Sequence, residues 1–248
     1  MLGVARSRRL ADMHLMIPNL TYEDRRRSLG RLALWWVETF SLIGRGGATG
    51  KPVTHSPEYI QFYLNAYALK PDGRRRFNRV SLWRPKGCNK SGLGDDLALF
   101  EAFGPCRFDH WAKPGETYTF LGQTYYYLPG EPVGRPVQRP EILCLATSED
   151  QSGNIFDSIY YNCTSGPLAQ LQGFGMEVTK PRIGLPEGGE IIPTTSGDAS
   201  KDGGLETFAL MDEVHLYTLP KHHSMYKTVQ RNLPKRSLDA DPWVLEMT

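Results

Sequence analysis

The sequence predicts an α/β fold in which a mainly parallel sheet is sandwiched by helices. Apolar runs typical of strands alternate with helical patterns from about residue 77 to the end of the chain. The runs EILCLATS and TFALMDEV are almost continuously apolar, which is typical of strands buried on both faces. In addition, a strand-like run, a polar loop and a helical pattern follow one another directly over RFNRVSLW, RPKGCNKSG and LGDDLALFEAF.

Composition and charge are those of an ordinary globular protein. Hydrophobic residues make up 40% of the 248 residues, enough for a substantial core, which argues against wholesale disorder. The net charge of +2 argues against a uniformly basic nucleic-acid-binding surface, although the runs Arg25–Arg27 and Arg74–Arg76 are dense enough for a local basic track. The four cysteines lack zinc-site spacing and no segment approaches membrane-spanning length, so we expect reduced thiols in a cytoplasmic setting.

The first elements are read from helical spacing and caps. Thr21, followed three residues later by Asp24, resembles a capping box, and the apolar residues of the following pattern recur at helical spacing: Leu29, Leu32, Trp36 and Phe40. A glycine-rich loop is predicted over residues 44–50, and a second helix over roughly Glu58–Leu69. A turn follows at Pro71–Gly73.

The later elements alternate between strand and helix. Residues 105–140 are rich in Gly, Pro and Tyr and are predicted to be an irregular insertion or a β-excursion. Ser148 is predicted to cap the helix EDQSGNIFDSIYYN, and RIGLPEGGEIIPTT is predicted to be a hairpin turning at Glu187–Gly189. HHSMYKTVQRNL is predicted to be a helix and PWVLEMT a last strand.

The loop RPKGCNKSG has the context of a nucleotide-binding P-loop but departs from its pattern. The pattern G-x-x-x-x-G-K-[ST] places glycine where this chain has Arg84 and Asn89. Asparagine tolerates the left-handed backbone conformation well, so it is a plausible replacement, and the alternative is a plain polar turn. In a working P-loop, Lys90 would bind the β- and γ-phosphates of ATP and the Ser91 hydroxyl would bind Mg²⁺. The remaining loop residues predicted to contact the nucleotide are Lys86, Gly87, Cys88 and Asn89.

An acidic pair ends the apolar strand TFALM. In a Walker B site, Asp212 would hold Mg²⁺ and Glu213 would polarise the attacking water. A strand that merely ends in solvated acids is the alternative. The P-loop pattern upstream favours the functional interpretation, because the two motifs occur together in the expected strand context.

Four segments of this chain resemble the large terminase subunit of tailed bacteriophages, and the resemblance extends from about Leu29 to the end. They are SLWRPKGCNKSG, with the basic Lys86 four residues before the lysine, GPCRFDHW, LATSEDQSGNIF and DASKDGGLETFALMDEVHLY. The resemblance implies a P-loop NTPase fold of the ASCE, RecA-like type. It implies an ATPase motor that uses ATP and Mg²⁺ to move viral double-stranded DNA into a procapsid.

The resemblance also implies residue roles, domains and partners. Glu213 would be the catalytic carboxylate beside Asp212, Gln61 would read the adenine, and Thr248 would begin the coupling motif. Residues 1–50 would be a helical lead-in and 51–248 the ATPase core, with the insertion near 105–140. The expected partners are viral DNA, a portal protein, a small terminase subunit and further copies in a ring, in the cytoplasm of the bacterial host and with no membrane.

Departures from the family pattern leave alternatives open. Large terminases continue into a nuclease domain, which we expect to be absent from this chain. Asp212–His215 also reads as a DExH sequence, so a nucleic-acid helicase fragment is one alternative. A degenerate terminase fragment without catalysis, acting as an interaction module, is another.

Overall fold

A computed structural model describes residue 18 and residues 20–146, 149–194 and 204–248, with the backbone alone described for 149–155. The helices, numbered along the described chain, are α1 (Tyr22–Arg26), α2 (Gly30–Phe40), α3 (Pro57–Ala66), α4 (Lys90–Phe103), α5 (Glu149–Ser165) and α6 (Pro220–Asn232). Short 3₁₀ helices span Pro167–Phe174, Val214–Leu216 and Leu233–Arg236. None of the described helices is long and apolar enough to cross a membrane.

Eleven strands are described, and seven of them form the central sheet. Those outside it are β2 (Arg107–Trp111), β3 (Thr117–Phe120), β4 (Gln123–Tyr126) and β5 (Pro132–Arg135). Those within it are β1 (Arg79–Leu82), β6 (Glu141–Leu145), β7 (Glu177–Thr179), β8 (Arg182–Gly184), β9 (Glu190–Thr194), β10 (Phe208–Met211) and β11 (Trp243–Met247).

The central sheet has the order β1-β11-β10-β6-β9-β8-β7. The first five strands run parallel, and β8 and β7 form an antiparallel edge. The prediction of a mainly parallel sheet is therefore confirmed. The last strand of the chain, β11, is inserted between β1 and β10 and pairs with both.

Helices cover both faces of this sheet. Phe208 and Leu210 of β10 belong to a large apolar core that includes Leu97 of α4, whereas Ala209 and Met211 pack in a second core with Met225 of α6. This alternation follows from the two-residue period of a strand, which directs successive side chains to opposite faces. It explains why the strand sequence is apolar throughout.

Residues 105–140 form two small antiparallel sheets, β2 with β5 and β3 with β4. Aromatic side chains join this region to the core through α2. The ring of Trp35 lies 6.2 Å from that of Tyr118, and the ring of Trp36 lies 5.8 Å from Phe120 and 5.7 Å from Phe100 of α4. Helix α2 is thus packed between the insertion and the helix that begins at the polar loop.

The predicted first helix is divided into two. The capping box is confirmed, since the Asp24 amide donates to Thr21 Oγ1 at 3.1 Å. The chain then leaves the helix, and the Ser28 hydroxyl donates to the Leu64 carbonyl at 2.8 Å. A Cβ at Gly30 would lie 2.5 Å from the Tyr63 carbonyl oxygen, so this close approach to α3 requires glycine.

Most other elements lie where the sequence predicts them. The second helix ends three residues earlier than predicted, at Ala66, and the predicted turn has Gly73 at φ +83°. Strands β8 and β9 form the predicted hairpin, with Gly188 and Gly189 at positive φ. Ser148, predicted to cap α5, lies outside the described residues.

A buried charged network joins α4 to the start of β11. Glu101 Oε2 lies 2.8 Å from Arg107 Nη1, and both side chains are almost fully buried. Glu101 Oε1 also accepts hydrogen bonds from Tyr67 Oη at 2.8 Å and Trp243 Nε1 at 2.9 Å. The guanidinium of Arg75 stacks over the Trp243 ring at 4.2 Å. Because the acid compensates two buried arginines, its charge holds the base of the sheet together.

The network predicts a large effect of a small substitution. Glu101→Gln keeps an acceptor oxygen but leaves Arg107 uncompensated, so we expect a loss of about 3 kcal/mol in the free energy of unfolding, measured by urea denaturation. The matched control is Glu190→Gln, whose partner Arg182 lies 3.4 Å away in an exposed pair, and which should change stability by less than about 1 kcal/mol. Equal effects at the two positions would contradict the structural role of Glu101.

Candidate functional site

The two predicted motifs meet at the carboxyl edge of the parallel sheet. The loop after β1 and the acidic pair after β10 lie at this edge because parallel strands end on the same side. Strand β11 separates β1 from β10, and Thr248 follows directly after it. The Arg84 amide donates to the Thr248 carbonyl at 3.0 Å, and the Thr248 amide donates to the Leu82 carbonyl at 3.0 Å.

Two residues of the loop, Gly87 and Asn89, have a left-handed backbone. Asn89 immediately precedes α4 and has φ 55° and ψ 37°, in the left-handed region. Gly87 has φ +88°, and a Cβ built there would meet no other atom within 4 Å. The amide side chain of Asn89 lies over Gly92, where a Cβ would come within 2.4 Å of its Oδ1. Glycine at position 92 therefore makes room for the asparagine.

Four of the predicted site residues come together at the start of α4. Ser91 Oγ donates to Asp212 Oδ2 at 3.2 Å, which links the loop after β1 to the end of β10. Lys90 is buried; its Nζ donates to the Arg84 carbonyl at 2.9 Å and lies 3.9 Å from Glu213 Oε1. The geometry thus unites two motifs that lie about 120 residues apart in the chain.

The carboxylate of Asp212 lies in an environment that disfavours its charge. Burial and the neighbouring charge of Glu213 raise its pKa above the ordinary value for aspartate. The hydrogen bond from Ser91, the amide of Glu213 and the cation of Lys90 act in the opposite direction. A bound cation would compensate the desolvation that the protein alone compensates incompletely.

The oxygen donors present fit Mg²⁺. A serine hydroxyl and an aspartate carboxylate are ligands that Mg²⁺ accepts, and in phosphate-binding sites the ion takes few protein ligands because phosphates and water supply the rest. The described residues contain no group of three or more His, Cys, Asp or Glu side chains suited to a metal.

His215 connects the acidic pair to the end of β11. Glu213 has a left-handed backbone, φ 49°, and its Oε2 lies 3.2 Å from His215 Nδ1. The same ring nitrogen is hydrogen-bonded to Thr248 Oγ1. In the sequence, His215 stands out only as part of a DExH pattern. The signal for its position is the two-residue spacing from Glu213, which a short 3₁₀ helix, Val214–Leu216, converts into contact.

A cleft of about 420 Å³ opens beside the loop. Its walls are the loop, the start of α4 and the segment leading into α3; the lining residues are Val53, Thr54, His55, Ser56, Glu58, Tyr59, Arg84, Gly87, Cys88, Asn89 and Leu93. The Tyr59 hydroxyl donates to the Cys88 carbonyl, and Arg84 pairs with Glu58. These contacts hold the loop against α3.

Gln61 does not line this cleft. Its Nε2 donates to Asn65 Oδ1 at 2.8 Å, one turn further along α3. Glu58 and Tyr59, three and two residues earlier, are α3 side chains that contact the loop. The role of Gln61 in reading adenine stays a prediction. Lys86 lies exposed at the tip of the loop.

The buried side chain of His55, in the wall of the cleft, bridges the exposed Glu38 and the buried Asp96, a contact that the sequence did not predict. Its Nδ1 lies 3.2 Å from Glu38 Oε1 and its Nε2 lies 3.7 Å from Asp96 Oδ2 on α4. Burial lowers the pKa of His55, but the two carboxylates outweigh this and raise it above the usual value. Burial raises the pKa of Asp96 to about 6. No local sequence pattern indicates this bridge, because its three residues come from three separate elements.

The fold is shared with a solved viral protein. The crystal structure of the HK97 bacteriophage large terminase superposes with a TM-score of 0.59, at 16% sequence identity, over 89% of this chain and 38% of that one. The predicted resemblance to a large terminase is confirmed. At this sequence identity the match shows a shared fold. Any chemical activity has to be argued from the residues of the site.

Curated relatives occur in mycobacteriophages. The chain is 27% identical over 184 residues to the Gene 13 protein of Mycobacterium phage L5 and 26% identical over 184 residues to that of Mycobacterium phage D29. Each match covers 72% of this chain and 28% of the relative, so the chain spans little more than a quarter of their length. No protein-family model matches the chain.

The left-handed backbone of Asn89 yields a prediction on stability. Asn89→Gly and Asn89→Ala both remove the side chain over Gly92, so their comparison isolates the backbone. We expect the glycine variant to be more stable by about 1 kcal/mol in thermal unfolding, because a Cβ is disfavoured at this φ. The control is Lys227 in α6, where Lys227→Ala should be more stable than Lys227→Gly by about 1 kcal/mol. If alanine were more stable than glycine at position 89 as well as at position 227, the left-handed conformation of Asn89 would be contradicted.

Proposed function

We propose that this chain is the ATP-hydrolysing motor region of a phage terminase large subunit, which couples ATP hydrolysis to translocation of viral double-stranded DNA into a procapsid. The observation that supports this most directly is the hydrogen bond between Ser91 Oγ and Asp212 Oδ2, at 3.2 Å, with Glu213 as the next residue. A Walker A serine and a Walker B aspartate are expected to meet in this way when they share one Mg²⁺. The fold shared with the HK97 large terminase supports the same conclusion.

The phosphate-binding role falls to the loop and the start of α4. The first N–H groups of a helix lack partners within it, and the helix dipole favours an anion at this end. Lys90 would bind the β- and γ-phosphates of ATP and release the Arg84 carbonyl that it now contacts. Residues 86–89 would surround the phosphates with backbone N–H groups, and the positive φ of Gly87 and Asn89 supports such a curved loop.

Ser91 and Asp212 would hold Mg²⁺, which supplies positive charge that stabilises the transferring phosphoryl group. Glu213 would orient and polarise the attacking water. Its carboxylate lies between two positive or hydrogen-bonding partners, Lys90 Nζ at 3.9 Å and His215 Nδ1 at 3.2 Å. These contacts give Glu213 a defined position at the edge of the site.

Thr248 would couple the site to movement. It contacts the loop after β1 through the Arg84 amide and the acidic pair through His215. A change at either motif therefore reaches the same residue. We propose that viral DNA, a portal protein, a small terminase subunit and further copies of the chain are the partners of this motor, as the resemblance implies.

A measurement of ATP hydrolysis distinguishes the proposed motor from the alternative, a degenerate interaction module without catalysis. Glu213→Gln should leave ATP affinity within about twofold and reduce kcat at least about 100-fold, because it removes the carboxylate that polarises the water. The measurements are phosphate release and ATP titration calorimetry. Glu177→Gln, on the exposed edge strand β7, is the matched control and should leave both unchanged.

Undiminished hydrolysis by the Glu213 variant would remove the catalytic role of this residue. A wild-type chain that binds ATP and hydrolyses none, even at high protein concentration, would contradict the motor and favour the interaction module.

A further inference from the structure

Helix α6 has one face in the core and one face in solvent. Met225 and Val229 are buried against β10 and β11 in the smaller apolar core. The exposed positions include Lys221 in the first turn, and Lys227 and Arg231, which are four residues apart and so lie on one side of the helix. Lys235, exposed in the following 3₁₀ helix, extends this side by one more turn. We refer to these four residues as the α6 basic face.

The charge of this region is of one sign. Residues 214–238 contain five of the 29 lysines and arginines of the chain and none of its 27 aspartates and glutamates. The rest of the chain therefore carries more acidic than basic residues. Among the described residues, no carboxylate pairs with Lys221 or Lys227. The partner described for Lys235 is the neutral Asn232, whose Oδ1 accepts from Lys235 Nζ at 2.6 Å.

The two arginine runs in the sequence do not form a comparable surface. Arg75 is buried and stacks on Trp243, and Arg76 Nη1 lies 2.5 Å from Asp24 Oδ1. Arg27 pairs with the same aspartate at 3.2 Å, and Arg74 lies 3.6 Å from Asp241. Their charges hold α1, the turn after α3 and the base of the sheet together. Four of the six arginines of these runs are therefore engaged in structural contacts, and Arg25 and Arg26 are exposed.

The α6 basic face is connected directly to the proposed catalytic edge. The 3₁₀ helix Val214–Leu216 follows Glu213 and leads within four residues to the start of α6. Helix α6 is also bonded to β11, because the Tyr226 hydroxyl donates to Glu246 Oε1 at 2.6 Å. Glu246 is the residue before Met247, which ends β11. A helix attached to both β10 and β11 is suited to transmit a change at their carboxyl ends.

We propose that the α6 basic face binds the phosphate backbone of duplex DNA. The identity of the polymer rests on the proposed function, whereas the choice of surface rests on the charge and exposure of these four side chains. From Lys221 to Lys235 the face is roughly 20 Å long, which corresponds to about six base pairs. Three of the four cations are lysines, which act as point charges on phosphates and fit binding without sequence preference.

The test compares two triple variants of the 248-residue chain with equal changes in charge. Lys221→Gln, Lys227→Gln and Lys235→Gln are combined in one variant; Lys51→Gln, Lys70→Gln and Lys113→Gln, three exposed lysines elsewhere, form the control. Binding to a fluorescent 30-base-pair duplex is measured by anisotropy at several salt concentrations. Phosphate release is measured separately, since none of these residues belongs to the proposed ATP site.

We expect the α6 variant to bind duplex DNA at least about tenfold more weakly and the slope of log affinity against log salt to fall by roughly 3, because each lost phosphate contact removes about one unit. The control triple variant should change the DNA affinity and the salt slope by much less. Equal weakening by the two variants, or a wild-type chain that does not bind the duplex, would overturn the proposal. Phosphate release by the wild-type chain would then leave the proposed ATPase intact, so the two failures are distinguishable.

Discussion

The hydrogen bond from Ser91 to Asp212 is the contact on which the candidate site depends. It joins the first residues of α4 to the end of β10, although β11 lies between β10 and the strand that precedes the loop. The contact therefore requires all three strands to end in register at one edge. The buried network around Glu101 and Trp243 supports this arrangement from the opposite end of β11. A site built in this way is sensitive to packing far from Ser91 and Asp212.

The insertion of β11 also accounts for the connection between chemistry and motion in the proposed motor. Thr248 contacts the loop after β1 through its backbone and the acidic pair through His215. Helix α6 begins a few residues beyond the acidic pair and is bonded to Glu246 of the same strand. Strand β11 and the residue after it thus contact the proposed phosphate loop and the helix with the basic face, and they are linked to the proposed catalytic carboxylate through His215.

Local features of this protein could be predicted from its sequence, and long-range features could not. The capping box at Thr21, the alternation within β10 and the left-handed tolerance of Asn89 depend on a few neighbouring residues, whose spacing is visible in the chain. The strand order is not visible, because β11 pairs with β1 across more than 160 residues. The bridge of His55, Glu38 and Asp96 and the contact of Tyr59 with the loop depend on the same long-range packing. The arginine runs look alike in sequence, yet Arg75 and Arg76 are engaged by Trp243 and Asp24, whereas Arg25 is exposed.

The most direct test of the proposed nucleotide and Mg²⁺ site is the thermal unfolding midpoint with ATP, in the presence and absence of Mg²⁺. At about 100 times the dissociation constant, ligand binding stabilises a protein by about 2.7 kcal/mol, so we expect a rise of roughly 5–10 °C for the wild-type chain with both ligands. Lys90→Ala should lose most of this shift, and Ser91→Ala should lose the part that depends on Mg²⁺. A midpoint unchanged by ATP with or without Mg²⁺ would contradict the account.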